Sequence, residues 1–461
     1  MAMTKEAITS DTICALATAP GLAGLAVVRC SGADSIEICD RFFRGKRRLK
    51  DAPSHSILFG WWYHENVAID SVTISVFRAP HSYTGEEVVE IGSHGGYVVP
   101  DQIVSSLLSV GVRHAAPGEF TQRAFVNGKL DMTQVEAVAD IIQSQSTIGA
   151  LTAARQLAGG FTRQLSEIRS ELLTLSGLLE LELDFAEEDV EFVNRPQLEE
   201  RAQLLANQCG RLADSARSAE ILRSGFHVAV VGFPNAGKST LFNALLQRNR
   251  AIVSDSPGTT RDFLVESIVI DGYVVQLADT AGLRTTKDNV EMQGILLTQS
   301  LMDSSNAILV LNDASNGFDA SNELVSDIIS QYPNRPVLLV HNKVDLATEV
   351  PDAIQKDAFG TIMISAKTGA GLDIIRAWIL HSIKESTDST LEVLVNQRQA
   401  LLLRAAEQHI CAALAAIKGY VPPDLVAIDL RSAVRSIGEL TGETWNPDVL
   451  ESVFSQFCIG K

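Results

Sequence analysis

Hydrophobic residues change their spacing along the chain, and each change marks a change of architecture. Up to about residue 127, short β-rich runs (GLAVVR, VTISVF, VVEIGSHGG) are interrupted by one helical pattern near YVVPDQIVSSLLSVG, which predicts an α+β domain over 1–127. From about 129, apolar residues recur every three or four positions with few breakers. The stretches LDMTQVEAVADIIQSQSTIGALTAARQL and FTRQLSEIRSELLTLSGLLELEL therefore predict long amphipathic helices over 128–220. The same texture returns over 386–461, in STLEVLVNQRQALLLRAAEQHICAALAAIKG and LRSAVRSIGELTGETWNPDVLESVFSQF. Between the two helical parts, 221–385 alternates strands and helical patterns: FHVAVVG, a hairpin VESIVIDGYVVQLAD turning at Asp271-Gly272, AILVLND, PVLLVHN and TIMIS. The expected organisation is an α/β domain inserted into a discontinuous all-α domain, an insertion made easy when the inserted ends lie close together at the surface.

Size and composition agree with this division. A chain of 461 residues suggests about three domains, and 46% hydrophobic with 20% charged residues is the composition of a globular protein. No uninterrupted apolar stretch has the length of a bilayer span, and MAMTKEAITSDT lacks the apolar core of a secretory signal, so an intracellular, cytoplasmic protein with no membrane partner is expected. Six scattered cysteines without C-x-x-C spacing argue against a zinc site or disulfide framework. A net charge of -18 excludes a protein that coats nucleic acid by bulk electrostatics. The basic run Arg41, Arg44, Lys46, Arg47, Arg48 and Lys50 reads as solvated surface.

Chemistry enters at FHVAVVGFPNAGKST, an apolar run followed by G-x-x-x-x-G-K-[ST]. Gly232 and Gly237 let backbone N–H groups of a loop containing Asn235 and Ala236 close around phosphates. Lys238 reaches the terminal phosphates, and Ser239, followed by Thr240, supplies a hydroxyl for Mg2+. Asn342, Lys343, Val344 and Asp345 follow the strand PVLLVH, and an Asp345 carboxylate accepts from guanine's ring N–H and amine where adenine has no such donor pair. Ser365, Ala366 and Lys367, after TIMIS, suit a loop closing over the base. Asp279, Thr280, Ala281 and Gly282 end the strand VVQLA, placing a carboxylate for Mg2+ through water and a glycine near the γ-phosphate. Ser254, Asp255, Ser256, Pro257, Gly258, Thr259 and Thr260 form a switch-type loop in which Thr259 and Thr260 are both candidates for the metal-binding threonine. This ordered set resembles the Ras-like GTPase superfamily. Leu283 stands where many such GTPases carry the glutamine that orients the attacking water; Arg284 and Glu291 are the polar groups nearby.

GFPNAGKSTLFNALL, SDSPGTTRD, DTAGLR and the final CIGK, with YTGEEVVEIGSHGG, PGEFTQRAFVNGKLDMTQVEAVADII and LDFAEEDVEF, are similar over essentially the whole chain to the MnmE-type (TrmE-type) tRNA-modification GTPases. The resemblance implies a folate-binding and dimerising N-terminal domain, a helical domain and an inserted G domain. It implies a homodimer whose G domains meet through their switch regions, with K+ bound by Asn235, Ser254, Ser256 and Thr259 in place of an arginine finger. Mg2+ would be held by Ser239 and Thr260, and Glu291 would orient water. Arg29, Glu90, Lys129 and Lys461 fall at folate-contact positions, and Cys458 in the tail comes near the one-carbon unit. GLAG at Gly21 to Gly24 and Ala186 depart from the family's usual GRGG and DFPEED. The implied activity is GTP hydrolysis coupled to adding an aminomethyl-type group, such as carboxymethylaminomethyl, at C5 of wobble uridine 34 in tRNA. A methylenetetrahydrofolate-type donor would supply the carbon, and an FAD-containing partner of the MnmG (GidA) type would carry the redox chemistry. The competing reading is a ribosome-assembly GTPase without tRNA chemistry; its expected basic RNA-binding module is not apparent in this acidic chain.

Overall fold

The structure, a computed structural model, describes residues 11–184, 194–249, 264–279, 298–317, 322–347, 360–387, 393–444, 447–455 and 457–461. The N-terminal part contains β1 (Ile13–Leu16), β2 (Ala26–Ser31), α1 (Ser35–Phe42), β3 (Phe43–Gly45), β4 (Ser56–His64), β5 (Val67–Phe77), β6 (Val88–Ser93), α2 (Val98–Leu108), β7 (Arg113–His114) and α3 (Glu119–Val126). The strands form one sheet in the order β3-β4-β5-β6-β2-β1-β7. Alternation along β2 and β6 sends Val28, Cys30, Val89 and Ile91 into a core shared with Ile36, Ile103 and Leu107 of α1 and α2. Within that core the Trp62 indole N–H is satisfied by Ser106 Oγ at 3.0 Å. The other face of the sheet carries Arg29 opposite Glu90, and Glu90 opposite Ser75. Strand β4 and helix α1 are elements the hydrophobic pattern did not single out.

The long helical stretch expected from 129 is two helices, α4 (Met132–Gln143) and α5 (Thr147–Leu157). The break has a local cause: Ser146 Oγ accepts from the Gly149 N–H at 2.9 Å and so starts a new helix. Helix α4 begins on a reciprocal capping box, with Gln134 N–H to Asp131 Oδ1 and Asp131 N–H to Gln134 Oε1, both 3.0 Å. Then come α6 (Gly160–Asp184), α7 (Arg195–Asp214) and α8 (Ala216–Ser224).

The α/β part follows: β8 (Phe226–Gly232), α9 (Lys238–Asn249), β9 (Leu264–Ile270), β10 (Tyr273–Asp279), β11 (Ala307–Asp313), α10 (Asn322–Gln331), β12 (Val337–Asn342), β13 (Thr361–Met363) and α11 (Leu372–Ser386). Its sheet runs β13-β12-β11-β8-β10-β9, with β9 alone antiparallel to its neighbour. The hairpin turns where expected, Asp271 and Gly272 both taking positive φ (48° and 85°) as a two-residue turn between twisted strands requires. Both faces of the sheet are covered. Val228, Val230, Leu309 and Leu311 pack toward Leu241, Leu245, Ile375 and Ile379, while Ala229, Val231, Ile308 and Val310 pack toward Val325 and Ile328. Burial on both faces explains why these strands read as unbroken apolar runs.

The chain ends in α12 (Gln397–Lys418), α13 (Pro423–Thr441) and α14 (Pro447–Phe454). Helix α12 is long and apolar enough, by length and composition alone, to cross a membrane; its Leu403, Ala406, Ile410 and Ala413 are buried within the protein. Helix α13 packs along α6 and stops at Gly442, whose left-handed φ of 82° closes the last turn. Two compact units result. One comprises 1–139, 156–209 and 402–461, the other 140–155 and 210–401, so the nucleotide-type sheet shares a unit with helical segments on either side of it.

Candidate functional site

The phosphate-loop residues occupy the strand-to-helix turn between β8 and α9. Two glycines there have no substitute. A Cβ on Gly232 would lie 2.2 Å from the Leu311 carbonyl oxygen, and one on Gly237 would lie 2.3 Å from Asn342 Nδ2. Asn235 adopts left-handed φ (64°), which asparagine tolerates, and sits exposed on the loop. Lys238 Nζ donates to the carbonyls of Gly232 (2.8 Å) and Phe233 (3.0 Å), bracing the loop it belongs to. Ala236 is buried, while Ser239 and Thr240 are exposed in the first turn of α9, the end of a helix whose dipole favours an anion.

Parallel register gathers the other loops at the same edge of the sheet. Gly232 pairs with Leu311, Asp313 with Asn342, His341 with Met363, and Asp279 with Val230. Asn342 is the tie. Its Nδ2 donates to the Ala236 carbonyl and its Oδ1 accepts from the Ala366 N–H, each at 2.9 Å. The N-K-V-D loop, the phosphate loop and the S-A-K loop therefore share one buried carboxamide. Lys343 turns through left-handed φ (65°) and pairs with Asp313 Oδ2 at 2.6 Å; Val344 and Asp345 follow in a short 3-10 turn with Asp345 exposed. Ser365 closes its loop by bridging to Ala370, leaving Lys367 exposed. Ser254, Asp255, Ser256, Pro257, Gly258, Thr259, Thr260, Thr280, Ala281, Gly282, Leu283, Arg284 and Glu291 lie outside the described residues.

The N-terminal candidates form a second cluster. Arg29 Nη2 meets Glu90 Oε1 at 2.7 Å, and the guanidinium lies over the rings of Tyr83 (5.1 Å) and Phe120 (5.6 Å). The C-terminal tail arrives beside them. The Phe120 N–H donates to the Lys461 carbonyl at 3.2 Å, and Gly460 lies so close to β1 that a Cβ there would be 2.2 Å from the Leu16 carbonyl. Burial, then the Arg29 charge, pushes the Lys461 amine below its ordinary range, with Glu90 opposing. Lys129 takes a different place: Nζ reaches the Pro80 carbonyl at 3.1 Å, and the residue lines a cleft of 530 Å³ with Phe125, Gln134 and Gly442. Cys458 is exposed. In the basic run Arg48 pairs with Asp40 and Arg41 with Glu37, while Lys46 and Arg47 are exposed, the solvated surface expected of it.

Tyr83, Phe120, Asn312, Asp313 and His341 join these sites without having been singled out in the sequence. The first two lie in segments quoted for the family resemblance, YTGEEVVEIGSHGG and PGEFTQRAFVNGKLDMTQVEAVADII, with no role of their own, and the last three look like ordinary strand-end polar residues.

The chain matches two family models, "GTP-binding protein TrmE N-terminus" over residues 12–129 and "MnmE helical domain" over 132–458. A tRNA modification GTPase MnmE of Salinibacter ruber is 41% identical, with 98% of this chain and 99% of that protein covered. The one from Flavobacterium johnsoniae is 39% identical, covering 98% and 100%. Among solved structures, Aquifex aeolicus Era bound to GDP.AlF4- overlaps 40% of this chain and 66% of its own at 27% identity and a TM-score of 0.28. The chain belongs to the MnmE family of tRNA modification GTPases.

Proposed function

We propose that this protein is a K+-dependent GTPase of tRNA wobble-uridine modification, working as a homodimer with an FAD-containing partner of the MnmG type. In this reading 1–127 is the folate-binding and dimerising domain, 221–385 the G domain, and 128–220 with 386–461 the helical domain. The observation that carries it is the docking of the C-terminal tail against Arg29 and Glu90 in a chain that also has the phosphate-loop and guanine-loop pair. A GTPase acting by hydrolysis alone has no use for the first of these.

The residues present suit the implied groups. Arg29 Nη1 is buried without a hydrogen-bond partner, beside the Glu90 carboxylate and the Lys461 side chain. That unpaired donor fits an acceptor-rich ligand such as a tetrahydrofolate derivative, which when bound would supply the one-carbon unit. Arg29 and Glu90 would orient it, and the tail with Cys458 and Lys461 would shield it from water. At the nucleotide, exposed Ser239 and Asn235 suit Mg2+ and K+ respectively, with Thr260 completing the Mg2+ set and Ser254, Ser256 and Thr259 the K+ set. Those cations would stabilise charge on the phosphates as GTP is cleaved, and Glu291 and Arg284 are the candidates to organise the attacking water. Domain closure driven by GTP would then reorganise the partner complex around a carboxymethylaminomethyl-type product at C5 of uridine 34.

The test is hydrolysis in matched K+ and Na+. Stimulation by K+ that Asn235→Ala weakens is expected; equal rates in the two salts would remove the potassium part of the proposal.

A further inference from the structure

Three consecutive residues, 341 to 343, are each fastened to a different part of the α/β unit. Asn342 holds Ala236 and Ala366, and Lys343 is paired with Asp313. The third fastening has no counterpart in the motif logic. His341, 2% exposed, accepts through Nδ1 from Asn312 Nδ2 at 3.0 Å, and the same Nδ2 donates to the Gly317 carbonyl at 2.8 Å. Asn312 is 3% exposed, and the two residues are direct register partners on β11 and β12. Around them the strands are apolar, Leu311 and Val340 being fully buried. Two polar side chains at such a place are costly unless they satisfy one another. A slip of register by one residue would separate them, so the pair is paid for in stability and repaid in position.

We propose that Asn312 and His341 are positioning residues for base selection. The pair fixes the end of β12 against β11 so that the left-handed turn at Lys343 presents the Asp345 carboxylate to the base. Asp313 reinforces it one residue on, accepting from Ser315 N–H and Oγ while it holds Lys343. For Nδ1 to accept, the imidazole must be unprotonated there; burial lowers the His341 pKa in keeping with this. Lys238 keeps its own braces to the Gly232 and Phe233 carbonyls when the pair is loosened, so the larger effect falls on the base. The inference rests on Asp345 recognising guanine.

Steady-state hydrolysis of GTP and of ITP by the full-length protein separates the alternatives, because ITP lacks the 2-amino group that Asp345 would accept from. His341→Leu removes the acceptor at similar volume and is expected to raise KM for GTP about ten-fold, the scale of one buried unpaired donor, with kcat within about two-fold. KM for ITP should move less, so the preference for GTP shrinks. His341→Asn, whose Oδ1 takes the place of Nδ1, should restore both. The proposal is overturned if His341→Leu leaves the GTP:ITP preference intact, whether or not kcat or folded yield falls, since a merely structural pair would act that way. Asp345→Asn is the separate control. If it leaves the preference for GTP unchanged, the guanine reading itself fails, independently of what His341→Leu does.

Discussion

Asn342 donates to the carbonyl of Ala236 across 2.9 Å, so the loop proposed to read the base is bonded to the loop proposed to hold the phosphates. Both atoms are buried, and the other end of the carboxamide serves Ala366. Asn342→Ala would leave the Ala236 carbonyl and the Ala366 N–H unpaired at about 1–3 kcal/mol each. A loss of GTP affinity of at least about ten-fold is expected, read by titration with a fluorescent GTP analogue. Unchanged affinity would mean the two loops are aligned by something else.

Gly237→Ala tests the same junction from the other side. The residue has φ of +92° and its Cβ would meet Asn342 Nδ2 at 2.3 Å. The new methyl must push either the phosphate loop or Asn342 away, on top of backbone strain of about 1–2 kcal/mol. Nucleotide binding should fall by about a hundred-fold or more while far-UV circular dichroism stays that of the parent. Retained binding would show that the loops move apart freely.

The parts of this arrangement differ in how far the sequence discloses them. The phosphate loop and the β9–β10 hairpin are legible because backbone geometry demands particular residues: glycine where a Cβ would strike Leu311 or Asn342, and Asp-Gly where both turn residues need positive φ. Helix breaks are less so. Apolar spacing runs straight through Ser146 and Gly442, and what ends the helices there is a side-chain cap in one case and a left-handed residue in the other. Pairings between distant strands are the least legible. Arg29 and Glu90 are 61 residues apart and meet only through the β2–β6 register, although resemblance to a family named both. Nothing local distinguishes Asn312 or His341 from solvent-facing strand ends.

Arg123 is completely buried, with Nη2 on Asp11 Oδ1 (2.7 Å) and Glu119 Oε1 (3.1 Å) and Nη1 on Glu86 Oε2 (3.1 Å). Arg123→Met takes the cation from Glu86 and leaves Asp11 and Glu119 to Arg113; the expected cost is about 3–5 kcal/mol, measurable as a lower urea midpoint for a probe in the N-terminal domain. A change below about 1 kcal/mol would show the carboxylates to be satisfied without the arginine.

The same cluster sets an acid limit. Burial raises the Glu119 carboxyl, but hydrogen bonds from Arg113 and the Ala116 N–H, with the charges of Arg113 and Arg123, outweigh it and bring it below the ordinary 4.5. Asp11 is also lowered: burial raises it, and Arg113 and Arg123 outweigh that. A depressed carboxylate contributes its stability in full above its unfolded value and loses it as pH falls through the folded one. N-terminal stability should therefore drop as pH falls below about 4.5, and Glu119→Gln should flatten that slope. An unaltered slope would exclude Glu119 as its source.

The central claim is that the chain serves tRNA wobble chemistry and not hydrolysis alone. Nucleoside analysis of bulk tRNA from cells lacking the protein, and from the same cells supplied with the full chain or with Arg29→Ala, tests it most directly. Loss of the aminomethyl-type modification at wobble uridine, restored by the full chain and not by Arg29→Ala, is the expected result. Wobble uridines that are unaltered in the cells lacking the protein would contradict the account.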